Sequence, residues 1–157
     1  MVSIIFQSLY FFLPAIVAYL AAKLTKPIWK HPIHKIFGQH TWTNLLAAAV
    51  NGTLVFWLQK LAYTPGQALA LIDYHDFTLV YGLLLGVGVV LGEMIKDFFK
   101  IRKKIPHWWF WDETSFALGA LILGFLIYVP NAAVSGIVVV ASLVLHLAVS
   151  YLAQKYI

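Results

Sequence analysis

The sequence predicts an all-α polytopic membrane protein of about five transmembrane helices with two charged cytoplasmic loops. Its residues are 62% hydrophobic and only 11% charged, whereas a soluble domain has about 25% charged and about 45–50% apolar residues. A transmembrane helix needs about 20 mostly apolar residues, so five helices and their loops occupy all 157 residues. The basic residues also fall on one side of a five-span arrangement. We therefore expect one integral membrane domain, residues 1–157, and no separate soluble domain.

Hydropathy and helix-breaking residues divide the chain into five apolar segments. These predicted spans are residues 4–22, 43–62, 77–95, 115–128 and 132–151. The first is not expected to be a cleaved signal peptide, because the first charged side chain is Lys23 and the segment contains Pro14. The fourth is short, and the turn sequence VPN separates it from the fifth.

The distribution of basic residues predicts the orientation of these spans. Four of the eleven lie in the loop after the first span, five lie after the third, and Lys155 follows the fifth, whereas Lys60 lies on the opposite side. The positive-inside rule places those ten in the cytoplasm. We therefore expect a multi-pass protein of the cell membrane with its N-terminus outside and its C-terminus in the cytoplasm.

The third span contains two pairs of glycines spaced four residues apart, Gly82 with Gly86 and Gly88 with Gly92. Because glycine has no side chain, neighbouring helices approach closely at such positions. We interpret the pairs as helix-packing surfaces, which would also permit a homodimer.

Residues 92–116 contain four of the six acidic residues and five of the eleven basic ones. Glu93, Lys96, Asp97 and Lys100 are spaced i, i+3, i+4 and i+7, so they share one face of a helix that continues the third span. A second acidic pair follows at positions 112 and 113, just before the fourth span, after the aromatic sequence HWWFW. Aromatic residues of this kind are typical of a membrane interface.

Two interpretations of this charged stretch remain open. A basic juxtamembrane patch with tryptophan anchors would bind anionic lipid headgroups, although the acidic residues would weaken that attraction. Alternatively, the carboxylates would bind Mg²⁺ and the lysines a triphosphate. Mg²⁺ commonly binds through one or two carboxylates together with substrate phosphates.

Polar residues elsewhere are interpreted structurally. His146 and Asn51 lie within predicted spans and are expected to hydrogen-bond to neighbouring helices, with a transport path as the alternative. His31, His34 and His40 are unevenly spaced and have no nearby acid in the sequence, so we do not expect a zinc site. The absence of cysteine excludes disulfides and thiolate chemistry.

Four stretches of the sequence resemble the CDP-archaeol synthase family, small five-span relatives of the phosphatidate cytidylyltransferases. LYFFLPAIVAYLA is similar to the family's opening segment, and PIHKIFGQHTWTNLLAAAVNGT to the segment with Lys-Thr-Trp-Arg-Gly. LGEMIKDFFKIRKK resembles Gly-Asp-x-x-Lys-Ser-x-x-Lys-Arg, and WDETSFALGA resembles Asp-Gln-x-Asp-Phe-x-x-Gly-Ala. The four stretches keep the family's order across nearly the whole chain.

The resemblance implies a CTP-dependent cytidylyltransferase. Its products would be pyrophosphate and a CDP-activated lipid of the CDP-archaeol or CDP-diacylglycerol type. The lipid phosphate of phosphatidic or archaetidic acid would attack the α-phosphorus of CTP, with Mg²⁺ neutralising the charge. The expected partners are therefore CTP, an acidic phospholipid and the membrane, with no nucleic acid.

The resemblance and the charge pattern together suggest roles for individual residues. The expected metal ligands are Glu93, Asp97, Asp112 and Glu113. The expected phosphate-binding residues are Lys96, Lys100 and Arg102, and Asp112, Lys96 and Lys100 form the expected catalytic group. Thr41 and Trp42 are weaker candidates for contact with the nucleotide or the lipid headgroup.

The chain also departs from the family pattern at several of these positions. The substituted residues are His40 for Lys, Thr43 for Arg, Glu93 for Asp, Asp97 for Ser, Glu113 for Gln and Ser115 for the second Asp. Either Asp97 and Glu113 supply the missing negative charge from new positions, or the metal site is weakened or lost. The alternative functions are therefore an inactive relative, a membrane module that binds anionic lipids, or a small transporter subunit.

Overall fold

The computed structural model describes residues 2–25, 35–37, 40–65, 67–103 and 109–156. Over these ranges the chain forms five helices and one short pair of strands. The elements are α1 (Val2–Thr25), β1 (Lys35–Phe37), β2 (His40–Thr41), α2 (Trp42–Ala62), α3 (Val80–Lys103), α4 (Trp109–Gly124) and α5 (Ala132–Tyr156). The two strands pair antiparallel. The predicted all-α class is confirmed, and the β1–β2 pair is an addition that the sequence did not predict.

Each predicted span matches one helix, with shifted ends. The charged stretch after residue 92 continues α3 to Lys103, as expected from the spacing of its charges. α4 begins at Trp109, before the predicted start at residue 115, so the end of the HWWFW sequence is helical. Residues 104–108 and His31 and His34 lie outside the described ranges.

The hydropathy of the helices agrees with an all-α membrane protein. Within the described ranges, Ser3–Thr25 and Trp42–Ala62 are each long and apolar enough to cross a membrane, with mean hydropathies of 1.9 and 1.4. A shorter apolar helix covers Ala132–Ala148. α4 has 16 residues and spans about 24 Å at about 1.5 Å per residue. The number of spans and their orientation stay predictions.

Glycines allow α3 to pack tightly between α2 and α4. A Cβ atom added at Gly52 of α2 would lie 2.7 Å from the carbonyl oxygen of Gly82, and one added at Gly88 would lie 2.7 Å from Cα of Ala120 in α4. An added Cβ at Gly92 would overlap the carbonyl oxygen of Ser115. The predicted use of these glycines in helix packing is confirmed. Because their partners belong to the same chain, they provide no surface for the predicted homodimer.

The loop between α2 and α3 closes the end of the bundle opposite the charged stretch. Tyr74 from this loop is fully buried and lies edge-on to Tyr10, with ring centroids 5.8 Å apart. Burial raises the pKa of Tyr74 far above its usual value. Lys60 Nζ donates to the carbonyl oxygens of His75 and Phe77 at 3.0 and 2.8 Å.

Asn51 does not make the predicted interhelical contact. Its Nδ2 donates to the carbonyl oxygen of Ala47 at 2.9 Å, one turn earlier in α2. An amide side chain within a helix can satisfy itself in this way on its own backbone. The expected role of Asn51 between helices was therefore wrong.

Candidate active site

The inner face of α3 carries a chain of charged contacts to α4. Lys96 Nζ donates to Oε1 of Glu93 at 2.8 Å, and the hydroxyl of Ser115 donates to the same oxygen at 2.7 Å. One turn further along α3, Lys100 Nζ lies 2.7 Å from Oδ1 of Asp112. We call this set of five side chains the α3–α4 seam. Its two carboxylates and Lys96 are buried, so these groups are not a solvated surface patch.

Helix geometry explains how the first turns of α4 supply this seam. Asp112 and Ser115 are three residues apart, which places them on the same face of the helix, toward α3. Glu113 is rotated by about 100° from Asp112. Its Oε2 contacts Nδ1 of His146 on α5. The predicted contact of His146 with a neighbouring helix is thereby confirmed, although the sequence did not indicate its partner.

Asp97 points away from the seam although it was predicted on the same face. Its Oδ2 lies 3.2 Å from Nε2 of His40, which is buried at the end of β2. The contact ties the β1–β2 pair to α3. His40 therefore has an acidic partner in the fold, although no acid lies near it in the sequence.

The four predicted metal ligands surround the same ends of α3 and α4 but contact different partners. Their partners are Lys96 and Ser115 for Glu93, His40 for Asp97, Lys100 for Asp112 and His146 for Glu113. Within the described ranges, no group of three or more His, Asp or Glu side chains is arranged to hold a metal ion.

Two carboxylates would nevertheless be enough for a Mg²⁺ ion that is shared with a phosphate substrate. Such an ion needs only one or two carboxylates, because phosphate and water oxygens complete its coordination. Glu93 and Asp112 are the two acids that face the same seam. They are therefore the residues best placed to hold it.

Of the three predicted phosphate-binding cations, the structure places two in the seam. Lys96 and Lys100 lie one helical turn apart, and the side chain of Lys100 is 39% exposed, so it reaches the solvent edge of the seam. Arg102 belongs to α3, but its side chain lies outside the described part of the structure.

The two weaker candidates at the start of α2 lie away from the seam's contacts. Thr41 is the N-cap of α2, and its Oγ1 accepts from the backbone N–H of Asn44 at 3.3 Å. A capping hydroxyl of this kind satisfies an otherwise unbonded helix N–H. Trp42 is 61% exposed. The geometry therefore gives Thr41 a structural role and leaves Trp42 on the surface.

A small pocket beside Glu93 is lined in part by residues to which the sequence pattern gives no role. It has a volume of about 10 Å³ and lies between α1, β2 and α3. Its lining consists of Tyr19, Ala22, Lys23, His40, Val89, Val90 and Glu93. The sequence signal for it was weak: an aromatic residue and a lysine spaced four apart at the end of an apolar segment rich in alanine.

An apolar groove runs between α1 and α5 on the outside of the bundle. It has a volume of about 810 Å³ and extends along α5 from Ala132 to Ala148, a length of about 24 Å at about 1.5 Å per residue. Gly136 and Ala141 are among its lining residues, and because both are small they leave room for the groove. Leu145 and Ala148, near one end of the groove, flank His146 in the sequence of α5, and His146 contacts Glu113 of α4. This end of the groove is therefore within one helical turn of a residue that contacts an acid. We call it the α1–α5 groove.

Comparison with known proteins assigns the family. The family model described as CarS-like, CDP-archaeol synthase, matches residues 1–156. The chain belongs to the CDP-archaeol synthase family. A curated CDP-archaeol synthase of Methanospirillum hungatei JF-1 is 39% identical over 56 residues, which is 34% of this chain and 34% of that protein. The chain therefore matches about a third of the length of this relative of the family. No solved structure gives a significant match.

Proposed function

We propose that this member of the CDP-archaeol synthase family is a CTP-dependent cytidylyltransferase. It transfers the cytidylyl group of CTP to the phosphate of an acidic phospholipid, giving a CDP-activated lipid and pyrophosphate. The observation that carries the proposal is the α3–α4 seam, in which two buried carboxylates and two lysines meet in a chain whose whole length matches the family.

The reaction requires positioning and charge neutralisation rather than a protein nucleophile. A phosphate oxygen of the lipid attacks the α-phosphorus of CTP. The bond from that phosphorus to the oxygen bridging to the β-phosphorus breaks, and this oxygen leaves with pyrophosphate. Lys96 and Lys100 donate to the phosphate oxygens that gain negative charge. When bound by Glu93 and Asp112, Mg²⁺ supplies further charge neutralisation as a Lewis acid.

The ion pairs of the seam support this role. An unpaired buried carboxylate is strongly destabilising, so each acid needs a cation in the absence of substrate. Lys96 and Lys100 provide that charge for Glu93 and Asp112. A bound phosphate substrate would offer the lysines oxygens in place of the carboxylates, and Glu93 and Asp112 would then be available to hold Mg²⁺.

Asp97 and Glu113 stay candidates for additional negative charge near the metal. Their contacts with His40 and His146 favour a positioning role. In that role Asp97 holds the β1–β2 pair against α3, and Glu113 holds α5 against α4.

The lipid substrate is proposed to be archaetidic acid, with phosphatidic acid as the ester-linked alternative. The match to a protein named CDP-archaeol synthase supports the first choice. We further propose that a hydrocarbon chain of this lipid lies in the α1–α5 groove. The groove is lined by aliphatic and small side chains, and one end is within a helical turn of His146, which contacts Glu113. A lipid lying in the groove with its phosphate at this end would bring the phosphate toward the charged ends of α3 and α4.

The membrane arrangement is also part of the proposal. Five spans with a cytoplasmic C-terminus would place the seam on the side of the membrane where CTP is found. The ten-to-one distribution of basic residues supports this orientation.

The direct test is release of pyrophosphate by the purified protein with CTP, Mg²⁺ and either lipid. We expect turnover with archaetidic acid, and turnover with neither lipid would contradict the proposal. Asp112→Asn keeps the size of the side chain but removes its charge, and we expect activity to fall at least about 100-fold, as for loss of a group that stabilises transition-state charge. Asp76→Asn, in the exposed loop between α2 and α3, is the control and should retain activity.

A second candidate is an inactive relative that binds anionic lipids. The observation in its favour is that all four acids already contact a lysine or a histidine. This alternative predicts binding to vesicles containing phosphatidic acid that is unaffected by EDTA or CTP, with no release of pyrophosphate.

A further inference from the structure

Tyr19 of α1 has a buried hydroxyl group with an unused hydrogen-bonding capacity. Its side chain is 1% exposed. Within the part of the chain that the structure describes, the hydroxyl oxygen has no hydrogen-bond partner. Buried polar groups nearly always have a partner in folded proteins, because leaving one unsatisfied is unfavourable. Because Tyr19 also lines a pocket with Glu93, its hydroxyl is available to donate to a group that binds there.

The ring of Tyr19 is held firmly, so a loosely placed side chain does not explain the missing partner. It stacks on Phe116 of α4, with ring centroids 4.1 Å apart and an interplanar angle of 19°. The ring of His146 on α5 lies at 5.9 Å. Lys23 Nζ lies 5.2 Å from the centre of the Tyr19 ring. Contacts with α4 and α5, together with Lys23 of its own helix, thus determine where the hydroxyl lies.

The surroundings of Tyr19 indicate the chemistry of the missing partner. Tyr19 lines the pocket that it shares with Lys23, His40 and Glu93. The volume of about 10 Å³ accommodates about one oxygen-sized group. Lys23 lies at this pocket, and Lys96 neutralises Glu93. An oxygen that belongs to an anion would therefore meet a cation, Lys23, beside the Tyr19 ring.

We propose that the Tyr19 hydroxyl donates a hydrogen bond to a phosphoryl oxygen of a substrate, with Lys23 supplying positive charge from the next turn of α1. The inference depends on the proposed function and adds a residue to its binding site. The phosphoryl group has two possible sources, the lipid phosphate and the triphosphate of CTP. Either would lie beside Glu93, between α1 and α3.

The test is Tyr19→Phe, which removes only the hydroxyl oxygen. Hydrogen bonds to charged groups are strong enough that their loss weakens binding roughly 10- to 100-fold. We expect the KM for one substrate to rise by that factor, while the Tm stays the same or rises because an unsatisfied buried hydroxyl has been removed. A higher KM for the lipid identifies the lipid phosphate, and a higher KM for CTP identifies the nucleotide.

Tyr74→Phe is the matched control. Tyr74 is also fully buried, and its hydroxyl likewise has no partner among the described residues, but it lies in the loop at the other end of the bundle. We expect both KM values of this variant to stay within about twofold of the wild type, since it loses an unsatisfied hydroxyl far from the seam.

Three results would overturn the inference. The KM values of Tyr19→Phe for the lipid and for CTP could both match those of the wild type, whether or not kcat falls. Alternatively, its Tm could drop, which would mean that the hydroxyl has a structural partner. Finally, Tyr74→Phe could raise the same KM by as much as Tyr19→Phe does. A wild-type protein that turns over neither lipid would instead contradict the proposed function, and the inference would fall with it.

Discussion

Ser115 decides how much negative charge the α3–α4 seam contains. The family pattern has an aspartate at this position, whereas here a serine hydroxyl donates to Glu93 at 2.7 Å. Two carboxylates in contact disfavour each other's ionisation unless a cation lies between them. A serine therefore allows the seam to be stable without a metal ion, and the longer Glu93 side chain provides the acceptor.

Placing the aspartate of the family pattern at position 115 should make the thermal stability of the protein depend on Mg²⁺. Ser115→Asp replaces a hydrogen bond with like-charge repulsion, for which we expect about 1–3 kcal/mol of destabilisation. In EDTA this corresponds to a fall in Tm of roughly 3–10 °C, and Mg²⁺ should reverse it.

Ser115→Asn is the control for this prediction, because it has a similar size and no charge. Its Tm should fall without any recovery in Mg²⁺. Thermal unfolding in detergent, with EDTA and with Mg²⁺, measures both variants. If Mg²⁺ changed the Tm of the wild type and of both variants equally, residue 115 would make no contribution to a divalent-cation site.

At the scale of the elements, the close approach of α3 to α4 sets the geometry of the seam. Gly92, which immediately precedes Glu93 in α3, packs against the backbone of Ser115 in α4. A side chain at Gly92 would push the helices apart where Glu93 receives the hydrogen bond of Ser115. Helix packing and the site's geometry are therefore coupled at this position.

Gly92→Ala should consequently destabilise the protein by at least about 1–3 kcal/mol, the usual effect of overfilling a packed contact. Gly136 of α5 is the matched position, because an added Cβ meets no atom within 4 Å there. Gly136→Ala should be neutral, or stabilising by up to about 1 kcal/mol through helix propensity. Denaturant unfolding in detergent compares the two, and equal effects would contradict the close packing of α3 and α4.

At the scale of the whole molecule, the α1–α5 groove extends along α5 as far as the turn that contains His146, which contacts Glu113 of α4. Glu113 is the sequence neighbour of Asp112 in the seam. This position distinguishes the groove from the one between α2 and α3. That second groove is also apolar, with a volume of about 470 Å³, and includes Val50 and Leu54.

Filling the α1–α5 groove should raise the KM for the lipid substrate but not the KM for CTP. Ala141→Trp adds a large side chain to its lining, and we expect the KM for the lipid to rise about tenfold, which corresponds to about 1.4 kcal/mol. The KM for CTP should not change. Val50→Trp, in the α2–α3 groove, is the control and should leave both values unchanged. A change of oligomeric state in Ala141→Trp, with normal lipid kinetics, would indicate instead that a second copy of the chain covers the groove.

The predicted orientation can be tested by labelling single cysteines, because the chain has none of its own. Asp76→Cys lies in the loop between α2 and α3, and Leu24→Cys lies near the end of α1; both positions are exposed. A membrane-impermeant maleimide should label Asp76→Cys in intact cells and Leu24→Cys only after permeabilisation. The reverse pattern would mean that the chain has the opposite orientation in the membrane. Equal labelling of the two cysteines would contradict an odd number of spans between positions 24 and 76.

The sequence by itself determined the membrane class, the five helices and the existence of a charged helical face. These depend on hydropathy and on spacing over a few residues, which are local properties. The spacing of Glu93, Lys96 and Lys100 predicted their shared face correctly, since residues three or four apart in a helix are neighbours. The close contacts made by the glycines of α3 were also predicted from their spacing.

Only the tertiary structure decided which acid meets which cation. Asp112 and Glu113 are adjacent in sequence yet contact α3 and α5, because consecutive helical residues point about 100° apart. Asp97 contacts His40 rather than the seam, and Tyr19 lies in the pocket with Glu93. These partners are distant in sequence. Their contacts depend on how far each helix is rotated and how closely α3 approaches its neighbours, which no local pattern specifies.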